Sequence, residues 1–287
     1  MLKRKIRHVF EAVLICLLFL FLLILPVSTS SKLSGKIARS IGSVMKKRNR
    51  IALINLKRAF PEKSDAELNA IVVGMWDNLG RIVGEMPHWY FMSQKQILRI
   101  VKFNNEMPKD EKLIMLSAHY GNWELSSQLL PSMHIQSALM YRSLENKWID
   151  WILKKIRTSK GASLMRKDGG GIKSAIKAFN EGKVLGMLID QRFEAGVSIP
   201  FFKYNAKTVV LPAKLAIQNK VPIYMWRIVR IKGVQYSAEM VKIDAGNNPN
   251  EMMCEVHRVL EDWIRERPEQ WFWIHRRWEQ SLYQKNV

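Results

Sequence analysis

Residues 113–124 decide the fold, and they read Leu-Ile-Met-Leu-Ser-Ala-His-Tyr-Gly-Asn-Trp-Glu. The apolar run 113–117 has the length of a buried strand, and the Gly121-Asn122 pair marks a sharp turn after it. Asn122 is suited to cap a following helix, because its side chain can accept a hydrogen bond from an early backbone amide. The stretch therefore predicts a buried strand that ends in a tight turn and continues as a helix.

The same alternation of short apolar runs and helical periodicity continues downstream. Strands are predicted at 137–141, 184–189, 221–229 and 236–243. Helices are predicted at 123–130, 146–159, 172–181, 208–219 and 250–267. Such alternation indicates a single α/β domain, and we expect its central sheet to be mixed, largely buried and flanked by helices.

The region upstream is helical and begins with an apolar segment. Ala12–Val27 is sixteen residues without a charge, roughly 24 Å as a helix and slightly short of a hydrocarbon core of about 30 Å. It follows four basic residues within 1–8, and we interpret it as a retained membrane anchor, with a cleaved signal peptide as the alternative. Residues 28–35 form a polar joint, so residues 1–35 are predicted to be anchor and linker and residues 36–287 the main domain.

Two further helices are expected before the sheet. Ile37, Ile41 and Val44 recur at helical spacing among basic residues, a pattern typical of a helix on an anionic membrane surface or of an ordinary solvated helix. Ser64 and Glu67 have capping-box spacing, and the apolar period that follows predicts a long amphipathic helix ending near residue 87.

The chain is strongly basic and has little cysteine. It carries 46 Lys and Arg against 25 Asp and Glu, a formal net charge of +21. A field of this sign attracts nucleic acid, acidic lipid or an acidic protein, and composition does not choose among them. The two cysteines, Cys16 and Cys254, are poorly placed for a structural disulfide, which favours a reducing compartment.

One short pattern indicates acid–base chemistry. His-x4-Asp/Glu occurs as His119 with Glu124 and as His257 with Asp262. The second pair lies within one predicted helix, where the two side chains would point about 140° apart. His119 precedes a turn, so Glu124 in the first helical turn is able to approach the imidazole, fix its tautomer and leave the other nitrogen to accept a proton. A structural histidine remains the alternative.

Other kinds of site have weaker support. The sequence has no His-Glu-x-x-His motif, no cysteine pair and no Gly-x-Ser-x-Gly elbow, so neither a metal centre nor a serine hydrolase is expected. The run 169–171 of three glycines opens a helix and is either an anion contact or a flexible turn.

Several motifs in order resemble the bacterial lipid A late acyltransferases, the Kdo-lipid A lauroyl and myristoyl transferase family. The resemblance covers nearly the whole chain. Its marks are the N-terminal apolar segment, residues 55–62, the His119–Glu124 stretch, Tyr141-Arg142 with Asn146, Asp190-Gln191, Val197–Phe202 with Thr208, and residues 268–278. Lys203 departs from the pattern, since the family commonly has glycine after the paired phenylalanines.

The resemblance implies a glycerolphosphate-acyltransferase-like fold behind an N-terminal membrane helix. It implies transfer of a fatty acyl group from acyl carrier protein to a hydroxyl of a lipid A precursor, with His119 as general base and Glu124 supporting it. We further expect an anionic membrane surface as a partner, no nucleic acid, no cofactor and no metal. The expected location is the bacterial inner membrane, with the catalytic domain on its cytoplasmic face.

Substrate contacts are expected from Arg142, Asn122, Trp123, Asp190 and Arg166. The basic residues expected to meet the acidic carrier protein or the phosphorylated acceptor are Arg166, Lys167, Arg192, Arg276 and Arg277. Two alternatives remain: an acyltransferase of the same superfamily that acts on another glycolipid or phospholipid, and a non-enzymatic membrane-anchored protein that binds anions.

Overall fold

A seven-stranded sheet organises the computed structural model of the protein, which describes residues 2–106, 108, 112–167, 170–244 and 246–284. The strand order is β1-β9-β8-β2-β5-β3-β4. The strands are β1 Val101–Phe103, β2 Ile114–Ser117, β3 Ser137–Tyr141, β4 Ser163–Arg166, β5 Val184–Leu188, β8 Ile223–Lys232 and β9 Gln235–Ile243. Within this sheet, β8 and β9 pair antiparallel and all the other neighbouring strands pair parallel. The prediction of a mixed sheet in an α/β domain is therefore confirmed.

Helices cover both faces of this sheet. They are α1 Leu2–Ile24, α2 Val27–Val44, α3 Lys46–Ala59, α4 Asp65–Phe91, α5 Gln94–Arg99, α6 Ser126–Ser132, α7 Lys147–Arg157, α8 Gly171–Asn180, α9 Leu211–Asn219 and α10 Pro249–Glu266. Because side chains alternate along a strand, Leu139 packs in one core with Ile156 of α7, whereas Met140 packs in the other with Phe179 of α8. Helices α7 and α8 thus lie on opposite faces of the sheet.

The residues predicted to be a polar joint are helical. Ser30, Ser34 and Gly35 are buried in α2, which packs along α4. A Cβ added at Gly80 or Gly84 of α4 would collide with the backbone or side chain of Ser34. Small residues on both helices allow this close approach, so serines that suggested a linker instead form a helix–helix contact. The boundary expected between residues 35 and 36 falls inside α2.

Helix α4 begins as predicted and ends later than predicted. Ser64 accepts from the Glu67 amide, and the Glu67 side chain accepts from the Ser64 amide, so the capping box is confirmed. The helix then continues through Pro87 to Phe91. Proline removes one helical hydrogen bond but keeps a helical φ, which a well-packed last turn tolerates.

A separate hairpin replaces part of a predicted helix. Strands β6 Val197–Phe201 and β7 Tyr204–Thr208 pair antiparallel through a two-residue turn at Phe202 and Lys203. Both turn residues have positive φ, 48° and 65°. A two-residue hairpin of this kind favours glycine, which explains why Lys203 stands out in the resemblance. The helix predicted from 208 accordingly begins at Leu211.

Helix α1 has two different faces. Within the described residues, Lys3–Ile24 is the one segment long and apolar enough to cross a membrane. Its inward stripe, which includes Ala12, Phe19 and Leu22, is buried against the domain. Its outward side chains are apolar and exposed.

Candidate active site

The site lies where two neighbouring parallel strands end. Ser117 of β2 is in register with Leu188 of β5. His119 and Asp190 each follow two residues later, so both emerge at the same edge of the sheet. Ligand sites in open α/β sheets form at this carboxyl edge, where the loops diverge.

His119 is held by Asp190. The imidazole Nδ1 lies 2.9 Å from Asp190 Oδ1, and the His119 backbone N–H donates to Asp190 Oδ2 at 3.0 Å. Trp271 Nε1 also donates to Oδ2, at 2.9 Å. The carboxylate is enclosed, whereas the His119 side chain keeps 17% of its exposure. One imidazole nitrogen is therefore fixed and the ring still reaches the pocket.

The charge of Asp190 is well stabilised. Burial raises the pKa of this carboxyl, but the adjacent His119 and its two hydrogen bonds outweigh burial and hold the pKa well below the ordinary value. Asp190 is thus a carboxylate that accepts from His119. The sequence predicted a substrate contact for this residue, and the structure places it behind the histidine instead.

Glu124 has a different partner from the one expected. Its carboxylate forms a bidentate pair with Arg157 of α7, at 2.7 and 2.5 Å. Burial raises the pKa of Glu124, but the charges of Arg157 and His119 lower the pKa by more, so the net shift is downward. His119 Nδ1 is hydrogen-bonded to Asp190, so the hydrogen bond that the imidazole was predicted to donate to Glu124 is replaced by an electrostatic interaction.

The turn between His119 and Glu124 is held in place by contacts with β8 and β9. Gly121 has φ of 60°, and a Cβ there would collide with the Ile228 carbonyl. Asn122 is fully buried; its side chain caps the helical turn by accepting from Leu125 N–H, as predicted, and donates to the Tyr236 hydroxyl at 2.9 Å. The cap is confirmed, but the enclosed side chain does not reach the pocket where a substrate contact was expected.

A second segment covers the turn from outside. Phe272 N–H donates to the His119 carbonyl at 3.0 Å, and Gly121 N–H donates to the Gln270 carbonyl at 2.9 Å. Tyr120 and Trp271 form an isolated antiparallel bridge. Residues 270–272 therefore hold the turn in place in addition to binding Asp190.

The pocket beside His119 has a volume of about 510 Å³. Its apolar walls come from the sheet and from α6, and they include Met115, Leu130, Leu139 and Trp226. Charged and polar side chains also line it; they include His119, Glu124, Arg142, Glu145, Arg157, Lys167, Gln191 and His275. A cavity lined by both apolar and charged side chains suits an amphipathic substrate.

Of the five predicted substrate contacts, Arg142 and Trp123 line this pocket, whereas Arg166, like Asn122 and Asp190, does not. Arg142 is on the wall, and the Trp123 ring lies edge-on to His119 with 5.3 Å between centroids. Arg166 ends β4 on the exposed surface, and its neighbour Lys167 lines the pocket instead. Burial, together with the nearby Arg142 charge, lowers the pKa of Lys167 despite the attraction of Asp190.

The remaining basic candidates have structural partners. Arg277 is fully buried, where it donates to the Lys207 carbonyl and the Thr208 hydroxyl. It is therefore a core residue and not the surface contact that was predicted. Arg192 donates to the Trp278 carbonyl, and Arg276 donates to Gln280.

The second His-x4-Asp copy is separated, as expected. His257 lies within α10 and faces the core, with Nδ1 on the Pro200 carbonyl at 2.7 Å. Asp262 is on the exposed side, paired with Arg258. Burial, reinforced by the Arg277 charge, lowers the pKa of His257 to about 3.

His275 is a pocket residue that sequence reasoning did not single out. Its ring lies 5.0 Å from that of His119, and its Nε2 is 3.2 Å from the Gln191 amide nitrogen. Because an amide nitrogen only donates, Nε2 accepts and the ring proton is on Nδ1. Burial and the neighbouring His119 lower the pKa of His275 to about 4, so the ring is neutral near pH 7. Across the described part of the chain, no three His, Cys, Asp or Glu side chains form a metal-binding group.

Comparison with known proteins agrees with this architecture. The model of the bacterial lipid A biosynthesis acyltransferase family matches residues 2–280. The chain is 26% identical over 267 residues to lipid A biosynthesis acyltransferase 2 of Shigella flexneri, covering 87% of this chain and 83% of that one. It is 25% identical over 250 residues to the lipid A biosynthesis lauroyltransferase of Escherichia coli K12, covering 82% and 80%. It is 20% identical over 278 residues to the palmitoleoyltransferase of the same strain, covering 90% of each. With a match over nearly its full length, the chain belongs to the bacterial lipid A biosynthesis acyltransferase family.

Proposed function

We propose that the protein transfers a fatty acyl group from acyl carrier protein to a hydroxyl of a lipid A precursor, the hydroxyl of a 3-hydroxyacyl chain in particular. Family membership supports acyl transfer in lipid A biosynthesis. The observation that carries the mechanism is the His119–Asp190 pair, with the His119 ring in the wall of a pocket that is lined by both apolar and charged side chains.

His119 acts as the general base in this proposal. Asp190 accepts a hydrogen bond from the Nδ1–H group, which leaves Nε2 without a proton and able to take one from the acceptor hydroxyl. The oxygen attacks the thioester carbonyl, and a C–O bond forms as the proton moves to Nε2. Collapse of the tetrahedral intermediate breaks the C–S bond, and the proton on Nε2 passes to the departing thiolate. The products are an ester and the free thiol of the carrier.

Glu124 supports the base through charge. The charge of His119 lowers the pKa of the Glu124 carboxyl, so the carboxylate lies within electrostatic reach of the imidazole. The bidentate pair also fixes Arg157 in the pocket wall, where a guanidinium is able to stabilise negative charge that develops on the thioester oxygen. His275 faces the same space and is neutral near pH 7, so it adds no positive charge that would oppose formation of the His119 imidazolium during attack.

In this proposal, the apolar and the charged side chains of the pocket bind different parts of the substrates. The apolar walls around Leu130, Leu139 and Trp226 accommodate the acyl chain, while Arg142 and Lys167 attract anionic groups of the acceptor or of the carrier. The net charge of +21 favours encounters with both acidic substrates.

The membrane location belongs to the same proposal. Helix α1 anchors the protein in the bacterial inner membrane with the catalytic domain on the cytoplasmic face, where basic flanking residues favour retention. The exposed apolar residues Ile37, Ile41 and Val44 on α2 support a second contact with the lipid surface.

Purified protein incubated with a panel of acyl carrier protein thioesters and a tetraacylated lipid A precursor tests the proposal. We expect one added acyl chain with the parent protein and none above background with His119→Ala, which should retain its membrane association and thermal unfolding. Acylation of a phospholipid or another glycolipid in place of the precursor would redirect the acceptor assignment. Unchanged turnover in His119→Ala would reject the mechanism.

A further inference from the structure

Two tryptophans of α7 are exceptional in this protein. The chain has ten tryptophans; seven are buried and Trp123 is half-buried. Trp148 and Trp151, in contrast, are each 58% exposed. They are three residues apart on one helix and therefore project from the same face. These two indoles therefore lie together at the surface, whereas the other eight are buried or half-buried.

The face around them is both apolar and basic. Leu144, just before the helix, is 44% exposed, and Lys147 and Lys155 flank the tryptophans. Lys155 Nζ lies 5.7 Å from the Trp151 ring centroid. Tryptophan beside lysine is the composition of protein surfaces that sit at the boundary between lipid and water. We call residues 144, 147, 148, 151 and 155 the α7 face.

Helix α7 is tied to α1. Asn146, which caps α7, donates to the His8 carbonyl at 2.8 Å and to Glu11 Oε2 at 3.0 Å. From His8 to Leu22 the inward side of α1 follows the domain for about 21 Å at helical rise. The two helices are therefore fixed side by side, and neither changes its depth without the other.

The outer side of α1 continues the apolar surface. Phe10, Leu17, Leu20 and Ile24 are each more than half exposed. A bilayer that covers these side chains also reaches the neighbouring helix. An acidic protein would match the lysines of α7, but it would leave the adjoining apolar face of α1 uncovered.

We propose that the α7 face inserts into the head-group region of a bilayer containing anionic phospholipid, beside α1. The inference rests on the membrane location proposed above. Arg142, Leu144 and Glu145 at the start of α7 also line the pocket, so this placement puts the pocket entrance at the lipid boundary. A lipid acceptor then enters sideways from the bilayer without being lifted into water.

Tryptophan quenching tests the insertion directly. The full chain is reconstituted into vesicles of phosphatidylethanolamine and phosphatidylglycerol that carry a brominated phosphatidylcholine. We expect Trp148→Phe/Trp151→Phe to lose most of the bromine-quenched emission. The matched control, Trp263→Phe/Trp278→Phe, also removes two indoles, but both are buried away from the pocket, and it should keep that quenching.

Equal quenching in the parent and in Trp148→Phe/Trp151→Phe would overturn the insertion of α7. Failure of the parent protein itself to float with the vesicles would instead reject the membrane location on which the inference rests. These two failures are distinguishable, because the first still requires vesicle-bound protein.

The functional consequence is tested with charge reversal. Lys147→Glu/Lys155→Glu should lower the rate on a vesicle-embedded acceptor by about tenfold or more, because basic residues near anionic lipid each contribute about 1 kcal/mol. The rate on a detergent-dispersed acceptor should stay near that of the parent. The control Lys173→Glu/Lys177→Glu reverses two charges on α8, on the opposite face of the sheet, and should change neither rate. A raised KM for the acylated carrier protein with both acceptor forms would show that the α7 face binds the carrier, and would overturn the proposal.

Discussion

The Asp190→Asn variant tests whether Asp190 enables His119 to act as the general base. The carboxylate accepts three hydrogen bonds, from His119 Nδ1, from the His119 backbone amide and from Trp271 Nε1. An amide of the same shape preserves one acceptor atom but brings an NH2 group next to a donor. The variant must lose a hydrogen bond or drive the imidazole to the other tautomer, in which Nε2 carries the proton and cannot accept one.

The expected loss follows from these contacts. Hydrogen bonds to a charged group contribute about 1.5–3 kcal/mol each, and the buried charge also stabilises the imidazolium formed during attack. Losing one such bond and the charge together predicts a fall in kcat of about 10³, or roughly 4 kcal/mol. The comparable aspartate-to-asparagine change in Ser–His–Asp enzymes costs about 10⁴.

Single-turnover acyl transfer measured across pH is the suitable assay, since it isolates the chemical step. Asp190→Asn should lower the rate constant with little change in the binding of the acyl donor. Its thermal unfolding should shift to lower temperature near pH 7, because a carboxyl whose pKa is lowered in the folded state stabilises the fold at that pH, so the assay is run below the unfolding transition of the variant. The conservative Asp190→Glu variant should recover part of the rate. A loss smaller than about tenfold would show that Asp190 does not set the tautomer of His119, and the mechanism would then need a different partner.

Three further outcomes are expected. Glu124→Ala should destabilise the fold by about 3 kcal/mol in urea unfolding, because it leaves the Arg157 guanidinium unpaired, while Glu124→Ala/Arg157→Met should recover most of that loss; equal instability of both variants would contradict this. The pKa of His257 is lowered from 6.5 to about 3 by burial, so the unfolded state binds the proton first as pH falls. The free energy of unfolding should therefore decline by about 3 kcal/mol between pH 6.5 and pH 4, and His257→Gln should flatten that slope; the same slope in the variant would assign it to other groups. Lys203→Gly should raise the unfolding free energy by about 1 kcal/mol, because φ at this residue is 65°; no gain would mean that the turn is not strained.

Five of the seven strands of the main sheet were predictable because each carries its own signal, whereas the short edge strands β1 and β4 were missed. Residues 137–141 and 184–188 are apolar runs that end at polar residues, and such runs form buried strands wherever they lie in the sheet. The hairpin at 197–208 was missed, since Pro200 and a positively charged turn residue conceal the strand pattern. The helical nature of residues 28–35 was missed because serine suggests a linker until a partner helix with matching glycines is known.

The site was only partly predictable for a related reason. His119 was identified from its local context, a strand followed by a turn. Its partner Asp190 is 71 residues away, and the two meet because β2 and β5 are neighbours, a pairing that no local pattern reveals. Arg157 likewise reaches Glu124 from another helix. Local spacing favoured Glu124 as the partner of the imidazole, but the pairing of β2 with β5 brings Asp190 to it instead.

The hydrogen bonds from residues 270–272 to the active-site turn have a consequence for the order in which this protein folds as the ribosome makes it. Every strand of the main sheet has left the ribosome once residue 243 emerges, yet the donor from Trp271 to Asp190 and the cover over His119 are still missing. Helix α1 meanwhile has long been available for insertion into the membrane. A nascent chain is thus expected to reach the lipid before it is able to act on it, and a product truncated before Gln270 should be anchored but inactive.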